Sequence, residues 1–99
     1  MVKIKQKWYS RSQNGRPLMI YYPKGYRSSG VVTSATIYKD PILKKHPNWH
    51  SAILKHELTE IKARGKGMPL NKAHKLARSK ESKLIKNLSL KQMWEKLNA

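Results

Sequence analysis

The segment His56-Glu57-Leu58-Thr59-Glu60 holds the residue types that metal-assisted or general acid–base chemistry needs. On a helix turning about 100° per residue, His56 and Glu60 lie one turn apart. They share a sector with Trp49, Ala52, Ile53 and Ala63, so both sit inside an apolar stripe. An ionised carboxylate there is costly unless it is paired or bound to a metal. An imidazole nitrogen and a carboxylate oxygen at i, i+4 can point at one ion. Glu57 lies just off that stripe. A second stripe, Leu54, Leu58 and Ile61, predicts that the helix is covered on two sides.

The next helical segment repeats the pattern. Leu70, Ala73, His74, Ala77, Glu81 and Leu84 share one sector, with His74 and Glu81 two turns apart. The small residues Ala52, Ala63, Ala73 and Ala77 would let the two helices approach. Acids are scarce: Asp40, Glu57, Glu60, Glu81 and Glu95 are all there are, and three of the five fall at these positions. The expectation is a zinc site, or one for another divalent metal, built from His56, Glu60, His74 and Glu81. Three of them would hold the ion and leave a position for water, whose pKa the ion lowers. Glu57, rotated away from the ligands, is the candidate general base. The plain alternative is a hydrogen-bonded core histidine, with Glu57 and Glu60 paired to Lys62 or Arg64.

Punctuation in the chain suggests how these residues are positioned. Residues 1–16 read as a basic N-terminal arm, and 17–99 as a single domain. Asn14-Gly15 is a turn signal that could close a hairpin. A short strand is expected at 18–22, stopped by Pro23, then a loop at 24–30. The β-branched stretch 31–38 is the best strand and Asp40-Pro41 ends it. Pro47-Asn48 opens the first helix, with Asn48 as cap, and Gly65 and Gly67 stop it. A second helix runs from about 69–71 to about Lys86. A third starts at Ser89, with Leu90, Met93, Trp94 and Leu97 as its apolar stripe. The fold class is α+β: short N-terminal antiparallel strands followed by three helices.

The chain carries 22 Lys plus Arg against 5 Asp plus Glu, a net charge of +17. Such a chain is drawn to polyanions. Lys3, Lys5, Lys7, Trp8, Tyr9 and Arg11 mix basic and aromatic residues as single-strand nucleic-acid binders do, and Tyr21, Tyr22 and Tyr26 add stacking candidates. The alternative is a solubilising arm with Trp8 folded onto the core. The absence of cysteine excludes a disulfide scaffold, a thiolate metal site and a thiol nucleophile. No apolar run approaches the length of a membrane span, and the N-terminus lacks the apolar core of a signal peptide. An intracellular setting is expected, cytoplasmic, in a viral or host-cell context.

The HELTE helix resembles that of zincin-type metallopeptidases, with HExxE in place of HExxH. Together with the glycine-containing turn, Ala73-His74, Ala77 and Glu81, the stretch is similar to small zincin-like domains of phage and archaeal-virus proteins and to single-domain minigluzincins. It covers residues 31–85 at most. The resemblance implies a zincin-like minimal domain and a metal-dependent hydrolase, most simply a minimal peptidase acting on a peptide substrate. It implies His56 as first ligand, Glu57 as general base and Glu81 as a downstream carboxylate ligand. Glu60 stands where those peptidases carry their second histidine, and His74 would replace the lost imidazole. The competing reading is a basic nucleic-acid-binding protein in which the His/Glu cluster is structural or degenerate.

Overall fold

The computed structural model describes residues 2–24 and 31–98. Most of the loop expected at 24–30, Tyr26 included, lies outside the described residues. The chain is α+β: strands β1 (Lys3–Trp8), β2 (Met19–Lys24) and β3 (Ser34–Lys39), a 3-10 turn (Pro41–Lys45), then helices α1 (Pro47–Gly65), α2 (Leu70–Ser79) and α3 (Leu90–Asn98).

Four expectations about the N-terminal region need correction. Residues 3–8 are not an arm but an edge strand, and the sheet is mixed rather than antiparallel. Its order is β1-β3-β2, with β1 parallel and β2 antiparallel to the central β3. The strand was hidden because lysines occupy its outward positions, while Val2 and Ile4 alternate with them and pack on the core. Asn14-Gly15 does turn, with Gly15 at φ +89°, but it closes no β1–β2 hairpin. The connection instead wraps the buried Asp40, which accepts from Gln13 N at 3.2 Å and from Arg16 at 3.1 Å, and β3 takes the place between the two strands. Pro23 does not stop β2. It lies within an edge strand, where a missing N–H is tolerated.

Inward-facing Met19, Ala35 and Ile37 meet Ile53 and Ile61 of α1, and Met93, Trp94 and Leu97 of α3 close the same core. The Trp94 indole N–H donates to the Arg16 carbonyl at 2.6 Å, tying the last helix to the β1–β2 connection. α1 starts at Pro47, two residues earlier than an Asn48 cap would have it; His46 holds the cap position without a side-chain bond. Pro47 suits the first helical position because its missing N–H would be unpaired there anyway. The helix ends as the glycines suggested. Gly67 at φ +96° donates to Arg64 O and Met68 to Ala63 O, the paired bonds of a Schellman motif. Gly65 is needed for another reason, since a Cβ there would stand 3.1 Å from Val2 Cβ. α3 begins with a reciprocal cap: Gln92 N donates to Ser89 Oγ at 3.1 Å and Ser89 N to Gln92 Oε1 at 2.9 Å.

α2 stops at Ser79, well short of Lys86. Its last turn tightens, with Lys80 N bonding Ala77 O and Glu81 N bonding Arg78 O. Ser79 returns its hydroxyl to Leu76 O, and Ser82 Oγ accepts from Leu84 N. Short polar side chains thus offer the backbone an alternative to helix. Glu81 therefore leaves the helical line on which His74 lies.

Candidate metal centre

α1 and α2 pack side by side, and buried Ala63, Ala73 and Ala77 leave room for the approach. Between them and the start of α3 lies a cleft of about 320 Å³ that contains His56, Glu57, Glu60, His74 and Glu81. Met19, Ile53, Ile85, Leu88 and Met93 form its apolar wall, and Arg78 stands at its lip.

Glu60 is the hub. It is 6% exposed. Its Oε2 lies 3.5 Å from His56 Nε2 and 3.2 Å from His74 Nδ1. Its Oε1 accepts from the Tyr21 hydroxyl at 2.6 Å, and Arg64 donates to that same hydroxyl at 3.1 Å. Burial alone would raise this carboxyl, but the bonds from His56, Tyr21 and His74 prevail and hold it at about 2. The same contact with Glu60 raises His56; burial opposes it, and the charges of Glu57, Glu81 and Glu60 reinforce it. The His56 and His74 rings meet edge to face, 5.3 Å between centroids.

One ligand atom each from His56, Glu60 and His74 falls within 4.8 Å of the others, so this group could hold a metal ion. Bonds of 2.0–2.1 Å to a tetrahedral zinc place neighbouring ligand atoms roughly 3.3 Å apart. The separations of 3.5 and 3.2 Å about Glu60 Oε2 are already of that size. The donor set, two imidazoles and one carboxylate, is also one that hydrolytic zinc sites use. Two of the three separations and the donor types thus suit a divalent ion.

Glu81, expected as a ligand, lies elsewhere. Its Oε1 is 2.7 Å from Nδ1 of His56, the nitrogen turned away from Glu60. That nitrogen is buried and has no aligned hydrogen bond, so the contact is an ion pair out of line with the N–H. A carboxylate on the far nitrogen of a ligating histidine orients the ring and increases its basicity. The position follows from the early end of α2.

Glu57 lines the same cleft, rotated from the ligand atoms as its place in the helix requires. Burial raises its carboxyl to about 7; the charge of His56 lowers it less, and Glu60 adds a small upward push. A carboxyl that titrates near neutrality suits a general base.

Tyr21 and Arg64 belong to the site although neither was expected there. Tyr21 was grouped with nucleic-acid contacts, and Arg64 was considered only as an ion-pair partner for a glutamate. Strand alternation carries the missed signal: Met19 and Tyr21 share the face toward α1, whereas Tyr22 faces away. Among the other candidates, Lys3, Lys5 and Lys7 are exposed on β1. Tyr9 stacks on Tyr38, and Arg11 is exposed. Trp8 lies on the helix side instead, stacked on His50 at 5.5 Å with Lys39 Nζ 4.2 Å above its ring. His50, read as a surface or substrate-side residue, accepts from Lys39 at 3.1 Å.

No helix among the described residues is long and apolar enough to cross a membrane. Comparison with family models, characterised proteins and solved structures finds no match to this chain.

Proposed function

We propose that the chain is a metal-dependent hydrolase, with zinc as the ion and peptides as the substrate class. The observation that carries this reading is the convergence of His56 Nε2, Glu60 Oε2 and His74 Nδ1, with the Glu57 carboxylate beside them in one cleft. Glu60 replaces the second histidine of the zincin helix, but His74 restores the second imidazole and Glu81 is drawn off to His56 Nδ1. The set therefore carries one carboxylate, not two.

When bound, the ion would supply Lewis acidity and a lowered pKa for water. The remaining roles belong to side chains. Tyr21 and Arg64 hold Glu60 by its second oxygen, leaving Oε2 toward the histidines. Glu81 places its charge beside the far nitrogen of His56. Glu57 takes a proton from the attacking water and can return it to the leaving amine. The apolar wall of Met19, Ile53, Ile85 and Met93 favours apolar substrate side chains and excludes water. Edge strand β2 carries Met19 into the cleft and offers backbone groups to an extended chain.

The test measures zinc content and cleavage of a mixed peptide library by wild type, Glu57→Gln and His74→Ala. Wild type should hold about one zinc and cleave; Glu57→Gln should keep the metal and lose roughly 10²- to 10⁴-fold in rate; His74→Ala should lose both. A Glu57→Gln protein as active as wild type would sink the mechanism. Metal that stabilises the fold without any turnover would leave a structural site.

A further inference from the structure

The core and Trp8 lie on the α1 side of the sheet, and the outward residues of the three strands form a second surface. Strand alternation and register assign its rows: Lys3, Ser34 and Lys24; Lys5, Thr36 and Tyr22; Lys7, Tyr38 and Ile20. Tyr9, one residue past β1, extends the surface by stacking on Tyr38 at 5.3 Å, and Tyr22 meets Tyr38 edge-on at 5.7 Å. The three rings make a continuous aromatic patch, bordered by the lysines of β1 and by Lys24.

The patch is built rather than incidental. The Arg16 guanidinium lies 3.6 Å over the Tyr9 ring and is held there by the buried Asp40. Tyr22, at the free edge, remains 49% exposed. No acid faces this side. Asp40 is buried against Arg16, three glutamates occupy the cleft on the opposite side of the sheet, and Glu95 is on α3.

We infer that this outer sheet face, Tyr9, Tyr22 and Tyr38 with Lys3, Lys5, Lys7 and Lys24, binds single-stranded nucleic acid. Its charge is complementary to phosphates, and a flat tyrosine platform offers stacking to bases that are not paired. A duplex keeps its base faces inside and could use only the lysines. The platform is also independent of the metal centre, which lies beneath the other face.

The experiment is fluorescence anisotropy with the full chain, a labelled single-stranded 20-mer and a duplex of equal length, in chelator and across a salt series. Wild type should prefer the single strand at physiological salt. Tyr22→Ala should weaken that binding by about 5- to 150-fold, the size of one lost base stack, with the salt slope kept. Tyr22→Leu, which retains apolar bulk, should behave alike. Lys3→Gln, Lys5→Gln and Lys7→Gln together should flatten the salt slope by about 2, at roughly 0.7 per phosphate contact. The matched set Lys75→Gln, Lys83→Gln and Lys86→Gln, exposed on the other side of the molecule, should leave the slope unchanged. His56→Ala should bind as wild type, so failure of the metal reading does not touch this one. Equal loss from both lysine sets, wild-type affinity in both Tyr22 variants, or preference for the duplex would overturn the inference and leave only nonspecific polyanion attraction.

Discussion

Replacing Glu57 by Gln should stabilise the metal-free protein at pH 8. Glu57 is held in the cleft, where burial raises its carboxyl from 4.5 to about 7 and the charge of His56 offsets only part of that cost. The native state therefore binds more protons than the unfolded state between those values, and stability falls as pH rises through this window. Raising a carboxyl over that interval costs its ionised form roughly 3 kcal/mol. Gln keeps the volume and removes the charge, at the expense of a buried amide that must find partners, so a gain of about 2 kcal/mol is expected at pH 8. For a domain of this size that is on the order of 10 °C in melting temperature. The assay is thermal unfolding in chelator at pH 4.5, 6 and 8. The gain should be small at pH 4.5, where Glu57 is protonated in the native state and about half protonated in the unfolded state, and grow with pH. A variant no more stable than wild type at pH 8, or a gain independent of pH, would refute the reasoning that Glu57 is a desolvated, poised carboxylate.

The neighbouring carboxyl should behave in the opposite sense. Glu60 is lowered to about 2, so its contribution is present above 4.5 and is lost as pH falls toward 2; acid titration of Tyr21→Phe should show a smaller loss that is complete at a higher pH. Zinc at about 100 times its dissociation constant should add roughly 2.7 kcal/mol to unfolding stability, read as a melting shift that disappears in His74→Ala. Tyr21→Phe and Glu81→Gln should each weaken zinc binding by about 10- to 100-fold by calorimetry while keeping the ligand set. Asp40→Ala strips partners from the Ile42 and Gln13 amides and from Arg16, and should cost about 3–5 kcal/mol in denaturant unfolding.

What was legible in the sequence follows the range of the interactions. α1 is set by local signals, Pro47 at its start and Gly67 past its end, so the phase of His56, Glu57 and Glu60 along it could be read directly. Ser89 as a cap was equally local. His74 could be placed opposite Glu60 because Ala73 and Ala77 on the same face are buried against α1. Glu81 was misassigned because periodicity counts residues along a helix and does not register that Ser79 and Ser82 end it. Pairing of β1 with β3 joins residues about thirty positions apart, as Lys5 with Thr36, and no local pattern distinguishes it from a β1–β2 hairpin. The Tyr21–Glu60 bond spans a longer separation still. Nonlocal pairing decided the sheet and the outer support of the site, whereas the ligand atoms themselves came mostly from one helix.

Glu57 and Glu60 are three residues apart on α1, yet their environments push them in opposite directions. Glu60 has three donors aimed at it and stays ionised across the whole neutral range. Glu57 faces an apolar wall and titrates near 7. Two carboxyls separated in this way cannot share one role: the one with a permanent charge and fixed oxygens suits holding a cation, and the one poised near neutrality suits moving a proton. A chain made only to pair charges, with 22 basic side chains to choose from, would put lysine or arginine on both. Instead Glu60 receives two imidazoles and a phenol. Arg64 donates to the Tyr21 hydroxyl, which in turn donates to Glu60, and Arg78 stands at the lip of the cleft. This division of labour between the two carboxyls favours a metal centre over an ordinary buried ion pair.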